Sequence, residues 1–429
     1  MASHLSLELR RIMRRELKDM GENILKKQCM DLGIDWADIE VSDISKLSAP
    51  LSKAISTFTG REKADKIIRE IEKFKVLEEL ASVGEVGERV GRKKRIEALN
   101  RLGGICHLIG EWENSLRYYT EAADLAKAVG DRALGFEIGT SMGLVLLEMG
   151  RCEEARGKLE AMLDEATAAM DAEAAASANR GLGKVMWRMG RFDMAVDYCR
   201  RAIEHYKAVN DSVGLAYLYK DLGDAYGEKG EFGKGLEYYS KSLAMFDART
   251  DAYSIANVHM NIGVVYSMMK DWEKAVENYE TCISITGREG YLNTMAWALF
   301  NVAEAYTKLK QLDKAEKALD RSAEMLKKTD DTMGMAGVEM KFGELLQAKG
   351  EWREAVPHFE ACIKTLRELG IQKYLADVLH ELGLTQAHLA RKKEARASFQ
   401  EALGIYKKLE ITAAVEKTEA DLEKLGPEG

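Results

Sequence analysis

The residues best placed to do chemistry form a basic and aromatic stripe near the middle of the chain. Arg180, Lys184, Trp187 and Arg188 are spaced i, i+4, i+7 and i+8, which puts all four on one side of an α-helix. Lys220 falls at the matching place on a later helix. Such a stripe could bind an acidic peptide through charge-assisted hydrogen bonds and seat an apolar side chain. A solvated helix face is the alternative, and the sequence leaves both open.

A second group is apolar and lies further along the chain. Met260, Trp297 and Phe300 could form an exposed hydrophobic floor for a partner, or they could pack against loops of the protein itself. The full set of candidate peptide- or protein-binding residues is Arg180, Lys184, Trp187, Arg188, Tyr217, Lys220, Asn257, Met260, Trp297, Phe300 and Glu304. Arg180 and Lys184 are expected outside the apolar core stripe of their helix.

Other chemistries find little support in the residue types. His380 and His388 are eight residues apart, so the i, i+4 pair of a helical metal site is missing. No phosphate loop, HExxH motif or nucleophile elbow occurs, and Gly103-Gly104 falls inside a predicted helix. We therefore predict a protein that is not an enzyme and uses neither a metal nor a cofactor.

The six cysteines are predicted to be packing residues. They are far apart and include no CxxC pair, which argues against a zinc site and a disulfide framework. Cys199, Cys282 and Cys362 occupy periodic positions where neighbouring segments carry Tyr, Ala or Ser, as small buried hydrophobes would.

The elements that must position these residues follow a period of 40. A glycine recurs at Gly103, Gly143, Gly183, Gly223, Gly263, Gly343 and Gly383, with Ala303 in the remaining place. We expect close approach of two helix backbones at this column, which makes each period a helical hairpin. A second small column lies twelve residues later, at Ser115, Ala155, Ala195, Gly235, Ala275, Ala315, Ala355 and Ala395.

A turn between the two helices of each hairpin is marked by glycine in five repeats. These glycines are Gly110, Gly150, Gly190, Gly230 and Gly350. Lys270, Lys310 and Ala390 stand at the same place in the other three, so those turns are expected to be tighter or more helical.

This pattern resembles the tetratricopeptide repeat. Small residues at repeat positions 8 and 20, an aromatic at 24 and an alanine-like residue at 27 appear in repeat five as Gly263, Ala275, Tyr279 and Cys282. The 40-residue length is similar to the long-helix subclass found in polarity and spindle adaptors of the LGN/Pins type and in bacterial response-regulator-binding proteins. The resemblance implies an all-α, right-handed superhelical solenoid of eight hairpins. It also implies that a peptide or protein segment binds along a concave wall made of the first helices.

The ends of the chain lie outside the period. We predict a helical module over 1–75, a helical connector over 76–95, the eight repeats over 96–409, and a capping helix and tail over 410–429. Part of the module is similar to a short segment of archaeal signal-transduction proteins. Its first helix carries Arg10, Arg11, Arg14, Arg15 and Lys18. The module is thus interpreted as a docking or homodimerisation element, and contact with DNA or a signalling protein is the alternative.

Composition limits the possible partners. The formal net charge is -8, which gives no general field to attract nucleic acid or an anionic membrane. The basic run Arg92-Lys93-Lys94-Arg95 is interpreted as a solvated helix end. No stretch is long and apolar enough to span a bilayer, so we expect a cytoplasmic adaptor or scaffold whose partner is a protein or peptide, acidic and with apolar anchors.

Overall fold

The computed structural model describes residues 4–82, 88–247 and 250–426, and within these ranges the regular structure is all α-helical. Four helices come first, α1 (His4–Leu17), α2 (Asp19–Asp31), α3 (Val41–Thr59) and α4 (Arg61–Ser82). The next sixteen form eight hairpins in chain order. They are α5 (Glu88–Ile109) with α6 (Trp112–Val129), α7 (Arg132–Glu148) with α8 (Cys152–Ala168), α9 (Ala172–Arg188) with α10 (Phe192–Ala208), α11 (Ser212–Glu228) with α12 (Phe232–Leu243), α13 (Ala252–Met268) with α14 (Trp272–Glu289), α15 (Leu292–Lys308) with α16 (Leu312–Thr329), α17 (Thr332–Lys349) with α18 (Trp352–Leu369), and α19 (Gln372–His388) with α20 (Lys392–Lys408). The last helix is α21 (Thr412–Lys424).

The helices divide between two compact units, Met1–Val258 and His259–Gly429, and the boundary falls inside α13. In the first unit each helix from α1 to α11 packs against the next, and in the second unit the same holds from α14 to α20. First helices of neighbouring repeats also contact each other, as α7, α9 and α11 do in the first unit. The surface that these three helices share is called the first-helix face below.

The amino-terminal helices have a core of their own. Leu9, Met13, Leu25 and Leu47 are fully buried among the apolar side chains of α1 to α4. The arginines of α1 are engaged within the module. Arg10 lies 3.8 Å from the ring centroid of Trp36, and the others contact carboxylates, with Arg11 near Glu8, Arg14 near Glu22 and Arg15 near Glu16 and Glu70. The predicted boundary at residue 75 stays a prediction, and residues 83–87 of the predicted connector lie outside the described residues.

The glycine column has a different cause from the one expected. A Cβ atom at each of these glycines would lie 2.5–2.7 Å from a side chain sixteen residues later, on the second helix of the same hairpin. Those side chains are Tyr119, Leu159, Cys199, Tyr239, Tyr279, Phe359 and Phe399. The expectation of a backbone-to-backbone contact at this column is therefore wrong. The missing Cβ makes room for a core side chain of the second helix, which is a Tyr or Phe ring in five of these seven repeats.

Close backbone approach occurs at the second small column instead. A Cβ at Gly235 would lie 3.2 Å from the carbonyl oxygen of Gly223 and 3.3 Å from the amide nitrogen of Gly227. At the same place in the first repeat, the Ser115 hydroxyl donates a 2.7 Å hydrogen bond to the Gly103 carbonyl. Small residues here allow the two helices to pack tightly.

The three turns without glycine are not tighter or more helical, contrary to expectation. Lys270, Lys310 and Ala390 adopt left-handed φ values of 61°, 61° and 59°, close to the 71–85° of the five glycine turns. The hydrogen bonds are also the same, since the Asp271 amide donates to Tyr266 O at 2.9 Å as the Arg151 amide donates to Leu146 O at 2.9 Å. The hairpin imposes this conformation although it costs an L-residue roughly 1–2 kcal/mol.

Two glycines of one hairpin give a matched stability test. Ala at Gly143 must displace the Leu159 side chain, whose Cγ would be 2.6 Å from the new Cβ, so we expect a loss of about 1–3 kcal/mol. Ala at Gly157, on the exposed side of α8 with open space around it, should add about 1 kcal/mol through helix propensity. Urea denaturation of both variants measures the difference. Equal stabilities would contradict the assigned role of the column.

Candidate functional site

The first-helix face contains a cavity of about 240 Å³ between α7, α9 and α11, closed at its base by α10. It is lined by Leu147, Glu148, Gly183, Lys184, Trp187, Arg188, Ala195, Cys199, Lys220, Asp221, Asp224 and Ala225. Gly183 belongs to the glycine column, and a Cβ there would lie 2.7 Å from Cys199 Sγ. The repeat packing thus brings the base helix close under the predicted stripe.

A network of charges crosses the cavity from one repeat to the next. Arg180 Nε donates a 2.8 Å hydrogen bond to Asp221 Oδ2, and only 9% of the Asp221 side chain is exposed. Lys220 Nζ lies 2.5 Å from Asp224 Oδ2 and 3.3 Å from Asp221 Oδ1. The Tyr239 hydroxyl donates to the other oxygen of Asp224 at 2.6 Å. Two carboxylates therefore hold two of the predicted basic residues in place.

Asp221 is ionised despite its burial. Burial alone would raise its pKa, but the positive charges of Arg180, Lys184 and Lys220 outweigh that effect and lower the pKa to about 2. The same contacts raise the pKa of Lys220, where Asp224 and Asp221 outweigh the cost of burial. Asp221 and Lys220 are therefore both charged at neutral pH.

Lys184 differs from its neighbours. Within the described residues no carboxylate oxygen lies at ion-pair distance from its ammonium group. Asp221 raises the pKa of Lys184 through its charge, yet burial together with Arg180 and Lys220 more than cancels this and lowers the pKa overall. The ammonium is thus a poorly compensated positive charge in the wall of the cavity.

Trp187 supplies a second donor without a partner. Its indole Nε1 is buried and finds no acceptor among the described residues. The ring itself is half-buried and packs against the apolar core of the first unit. Arg188, at the rim, lies 3.7 Å from Glu148 with half of each side chain exposed, so this pair contributes little.

Tyr217 and Asn257 lie outside the cavity. The Tyr217 ring stands 5.3 Å from Arg180 and makes an edge contact with Phe246, and its hydroxyl is 2.9 Å from the Ser254 hydroxyl. Asn257 donates to the carbonyl of Tyr253 in its own helix at 3.0 Å. Tyr217 therefore packs near the guanidinium of Arg180, and no described contact connects Asn257 to the cavity.

In the second unit the apolar candidates are packed and not freely exposed. Met260, Trp297 and Phe300 are each half-buried, and Met260 and Phe300 pack against the local core. Trp297 makes an edge contact with Phe300, and Lys341 lies over the Phe300 ring at 5.9 Å. The open hydrophobic floor expected from the sequence is not formed.

Glu304 belongs to a separate polar cavity of the second unit, of about 480 Å³. Lys341 bridges Glu304 at 3.0 Å and Glu344 at 2.8 Å. Burial raises the pKa of Glu344, although Lys341 opposes the rise. Within the described residues no group of His, Cys, Asp and Glu side chains is arranged to hold a metal ion.

The sequence interpretation missed the partner of Arg180. Arg180 lies outside the apolar core, with 23% of its side chain exposed, but it is paired with Asp221, and reversing its charge would set it against that carboxylate. A spacing signal could have found the pair. Polar contacts between first helices of neighbouring repeats join residues 37 to 41 apart, as in Arg180 with Asp221, Arg188 with Glu148 and Lys341 with Glu304.

Three of the cysteines are buried, and His380 and His388 make contacts within the protein. Cys199, Cys282 and Cys362 are buried, as predicted, and burial raises the pKa of Cys282 and of Cys362 to about 12. His388 stacks on Trp352 with ring centroids 3.8 Å apart, and His380 Nε2 lies 3.1 Å from Asp421.

Sequence comparison places tetratricopeptide repeats over more than half of the chain. One form of the repeat matches residues 173–248, 254–328 and 334–408, and a second form matches residues 98–133. No curated protein is similar enough in sequence to count as a match. Within the described residues no helix is long and apolar enough to cross a membrane.

Solved structures share the fold at low identity. A Rap protein complexed with competence and sporulation factor is 15% identical, with a TM-score of 0.55, and the match covers 86% of this chain and 99% of that one. The apo quorum sensor NprR from B. thuringiensis is 13% identical, with a TM-score of 0.53 and coverage of 94% and 97%. The signal-transduction ATPase PH0952 from Pyrococcus horikoshii, which has a tetratricopeptide repeat sensor, is 14% identical, with a TM-score of 0.59 and coverage of 84% and 57%.

Proposed function

Because the chain belongs to the tetratricopeptide repeat family, we propose that it is a non-catalytic regulator or adaptor that binds a peptide or protein segment on its first-helix face. The cavity between α7, α9 and α11 is the proposed main subsite, and a carboxylate of the partner is the proposed ligand group. The fold is shared with a Rap protein that was solved with competence and sporulation factor and with the quorum sensor NprR. That likeness supports a role in sensing.

The observation that carries the proposal is the pair of unsatisfied donors in one cavity wall. Lys184 offers an ammonium without an ion pair, and Trp187, three residues on, offers an indole N–H without an acceptor. The buried Trp187 N–H costs free energy unless a ligand supplies an acceptor, and the half-buried Lys184 ammonium gains an ion pair if that ligand is an anion. A carboxylate has two acceptor oxygens and the charge that Lys184 lacks.

The charges of the cavity favour an anion over a cation. Lys184 and Lys220 in the lining and Arg180, which pairs with Asp221, contribute three positive charges, against the two negative charges of Asp221 and Asp224. The Arg188 and Glu148 charges at the rim cancel. A bound carboxylate would bring the buried set to neutrality.

Apolar walls give the subsite a second property. Leu147, Ala195 and Ala225 line the same cavity as the Trp187 ring. A volume of about 240 Å³ is large enough for one side chain of a partner. We therefore expect a partner residue with a short apolar stem and a carboxylate, either an Asp or Glu side chain or a free carboxyl terminus.

Affinity selection of a random heptapeptide library on the full chain tests this function. Half of the library carries free carboxyl termini and half carries amidated ones. Recognition of an Asp or Glu side chain can then be distinguished from recognition of a free carboxyl terminus. We expect at least tenfold enrichment of one carboxylate class. A chain with Lys184→Met serves as the control and should lose that enrichment. Recovery of no peptide, or equal recovery by both chains, would contradict the proposal that the cavity binds a carboxylate of the partner.

A further inference from the structure

A second groove lies on the second helices of repeats three and four, away from the cavity residues. It is lined by Arg200, Arg201, Ile203, Glu204, Lys207, Tyr219, Tyr238 and Lys241, with a volume of about 510 Å³. These residues come from α10, α11 and α12 and define the outer groove. Cations dominate the lining, with four against the single carboxylate of Glu204.

The two arginines are the least compensated of these cations. Arg200 donates a 2.8 Å hydrogen bond to the Tyr226 hydroxyl, and Arg201 lies over the Tyr198 ring at 5.5 Å. Neither has a carboxylate oxygen at ion-pair distance among the described residues. Lys207 and Lys241, in contrast, pair within their own helices, with Glu204 at 3.9 Å and Glu237 at 2.5 Å.

Aromatic rings form the floor of the outer groove. Tyr226 and Tyr238 are stacked with centroids 5.4 Å apart and an interplanar angle of 4°, and Tyr219 lies 6.0 Å from Tyr238. Lys241 covers the Tyr238 ring at 4.7 Å. The buried Tyr226 fixes the position of this stack, so the floor is rigid before any ligand arrives.

Grooves of similar size on other second helices lack this chemistry. The groove on α6, of about 510 Å³, is lined by Arg117 and Arg151 together with Glu113, Glu121 and Asp124. The groove on α14, of about 560 Å³, is lined by Glu273, Glu277 and Glu280 and by no cation. Repeat geometry therefore explains the presence of a groove but not its arginines and tyrosines.

We propose that the outer groove is a second binding site, for a short acidic protein segment. Two carboxylates of the segment would pair with Arg200 and Arg201, and an apolar or aromatic side chain between them would lie on Tyr219 and Tyr238. Arginine suits this role because its planar fork binds carboxylates with two hydrogen bonds and it is weakly hydrated. The proposal is independent of the cavity on the first-helix face.

A short protein segment fits the groove better than a nucleic acid does. The positive lining spans little more than one repeat, and the α6 groove of the same unit, with three carboxylates against two arginines, does not continue it for a longer polyanion. The net charge of the whole chain is also negative, at -8. Nucleic acid binding is thus an outcome that the experiment must be able to detect.

Fluorescence anisotropy with the full chain tests the proposal. The probe is a fluorescein-labelled, amidated hexapeptide with four glutamates around a central Leu-Tyr pair, and its analogue carries four glutamines. We expect the glutamate peptide to bind at least tenfold more tightly than the glutamine analogue. We expect the Arg200→Glu/Arg201→Glu chain to lose at least tenfold of that affinity.

Two control chains separate the outer groove from other sites. Arg117→Glu changes a cation of the α6 groove, and Lys184→Met changes the cavity of the proposed function, and both should bind the probe as the unaltered chain does. We expect the double variant to fold because both arginines are exposed, and circular dichroism checks this. Equal binding of the two peptides, no effect of the double substitution, or tighter binding of a twelve-nucleotide single-stranded DNA than of the glutamate peptide would overturn the proposal. Loss of binding only in Lys184→Met would assign the probe to the cavity and overturn it as well.

Discussion

Replacing Asp221 with alanine is expected to lower the free energy of unfolding by about 3–5 kcal/mol, the largest loss from any single change in the site. The reason is that Asp221 accepts from Arg180 at 2.8 Å and lies 3.3 Å from Lys220, with Lys184 close enough to affect its pKa. Without the carboxylate, Arg180 loses its ion pair and three half-buried positive charges are left with the single carboxylate of Asp224. Urea denaturation of the variant and of the unaltered chain measures the loss.

An exposed ion pair in the same unit provides the control. Asp193 lies 2.6 Å from Lys229, but 82% of its side chain is exposed, so Asp193→Ala should change stability by less than about 0.5 kcal/mol. If Asp221→Ala were as mild as Asp193→Ala, the cavity charges would not be coupled in the way that the distances indicate.

The titration of Asp221 should also affect how the free energy of unfolding depends on pH. The folded-state pKa of Asp221 is about 2, below the ordinary value of 3.8, so folding favours the ionised form. Its contribution, about 2 kcal/mol, is fully present above pH 4 and is lost as the pH falls through 2. The stability difference between the unaltered chain and Asp221→Ala should therefore narrow over this range.

The second large effect is expected in binding, at Lys184. Lys184→Met should weaken the peptide chosen by library selection by about 10- to 150-fold, which corresponds to one charged hydrogen bond of about 1.5–3 kcal/mol. Folding should not suffer. The lowered pKa of Lys184 indicates that burial and the neighbouring cations disfavour its charge, and methionine fills similar space. Isothermal titration calorimetry and urea denaturation measure the two effects separately.

Lys229→Met is the matched control for this second prediction. Lys229 is also a partly exposed lysine of the first unit, but it pairs with Asp193 and Glu231 and is not part of the cavity lining. Its replacement should leave the peptide affinity within twofold. A Lys184→Met chain that binds as well as the Lys229→Met chain would exclude Lys184 from recognition.

The repeat was predictable from sequence because its signal is geometric and recurs eight times. A small residue every 40 positions fixes where one hairpin ends and the next begins, and the helices follow that register. The group that contacts each glycine of this column was harder to predict from the sequence. A missing Cβ indicates a close neighbour without telling whether that neighbour is backbone or, as at Gly343, the ring of Phe359.

The turns show how tertiary structure overrides a local preference. Lys270, Lys310 and Ala390 intrinsically favour right-handed conformations. The helices on both sides are fixed by packing, however, and the turn that connects them requires a left-handed φ at this position. The cost of roughly 1–2 kcal/mol per turn is small against the burial of a whole hairpin. A propensity argument confined to the turn could not have found this.

The sequence pattern named the basic residues of the cavity but not Asp221, and the binding role of these residues stays a prediction. Spacing within one helix grouped Lys184 and Trp187, which line one cavity, with Arg180, which does not line it and is held by Asp221. The pairing depends on contact between first helices of successive repeats, which no single-helix pattern contains. It leaves Lys184 as the cation available to a partner.

A thermodynamic cycle would show whether the carboxylate of the partner contacts Lys184. Titration calorimetry would give the affinities of the unaltered chain and of Lys184→Met, each for the selected peptide and for its analogue with the carboxylate replaced by an amide. If the carboxylate lies against Lys184, the two changes are coupled by at least about 1.5 kcal/mol, because either one alone removes the same interaction. Changes that add to within about 0.5 kcal/mol would show that the carboxylate binds elsewhere and would contradict the account.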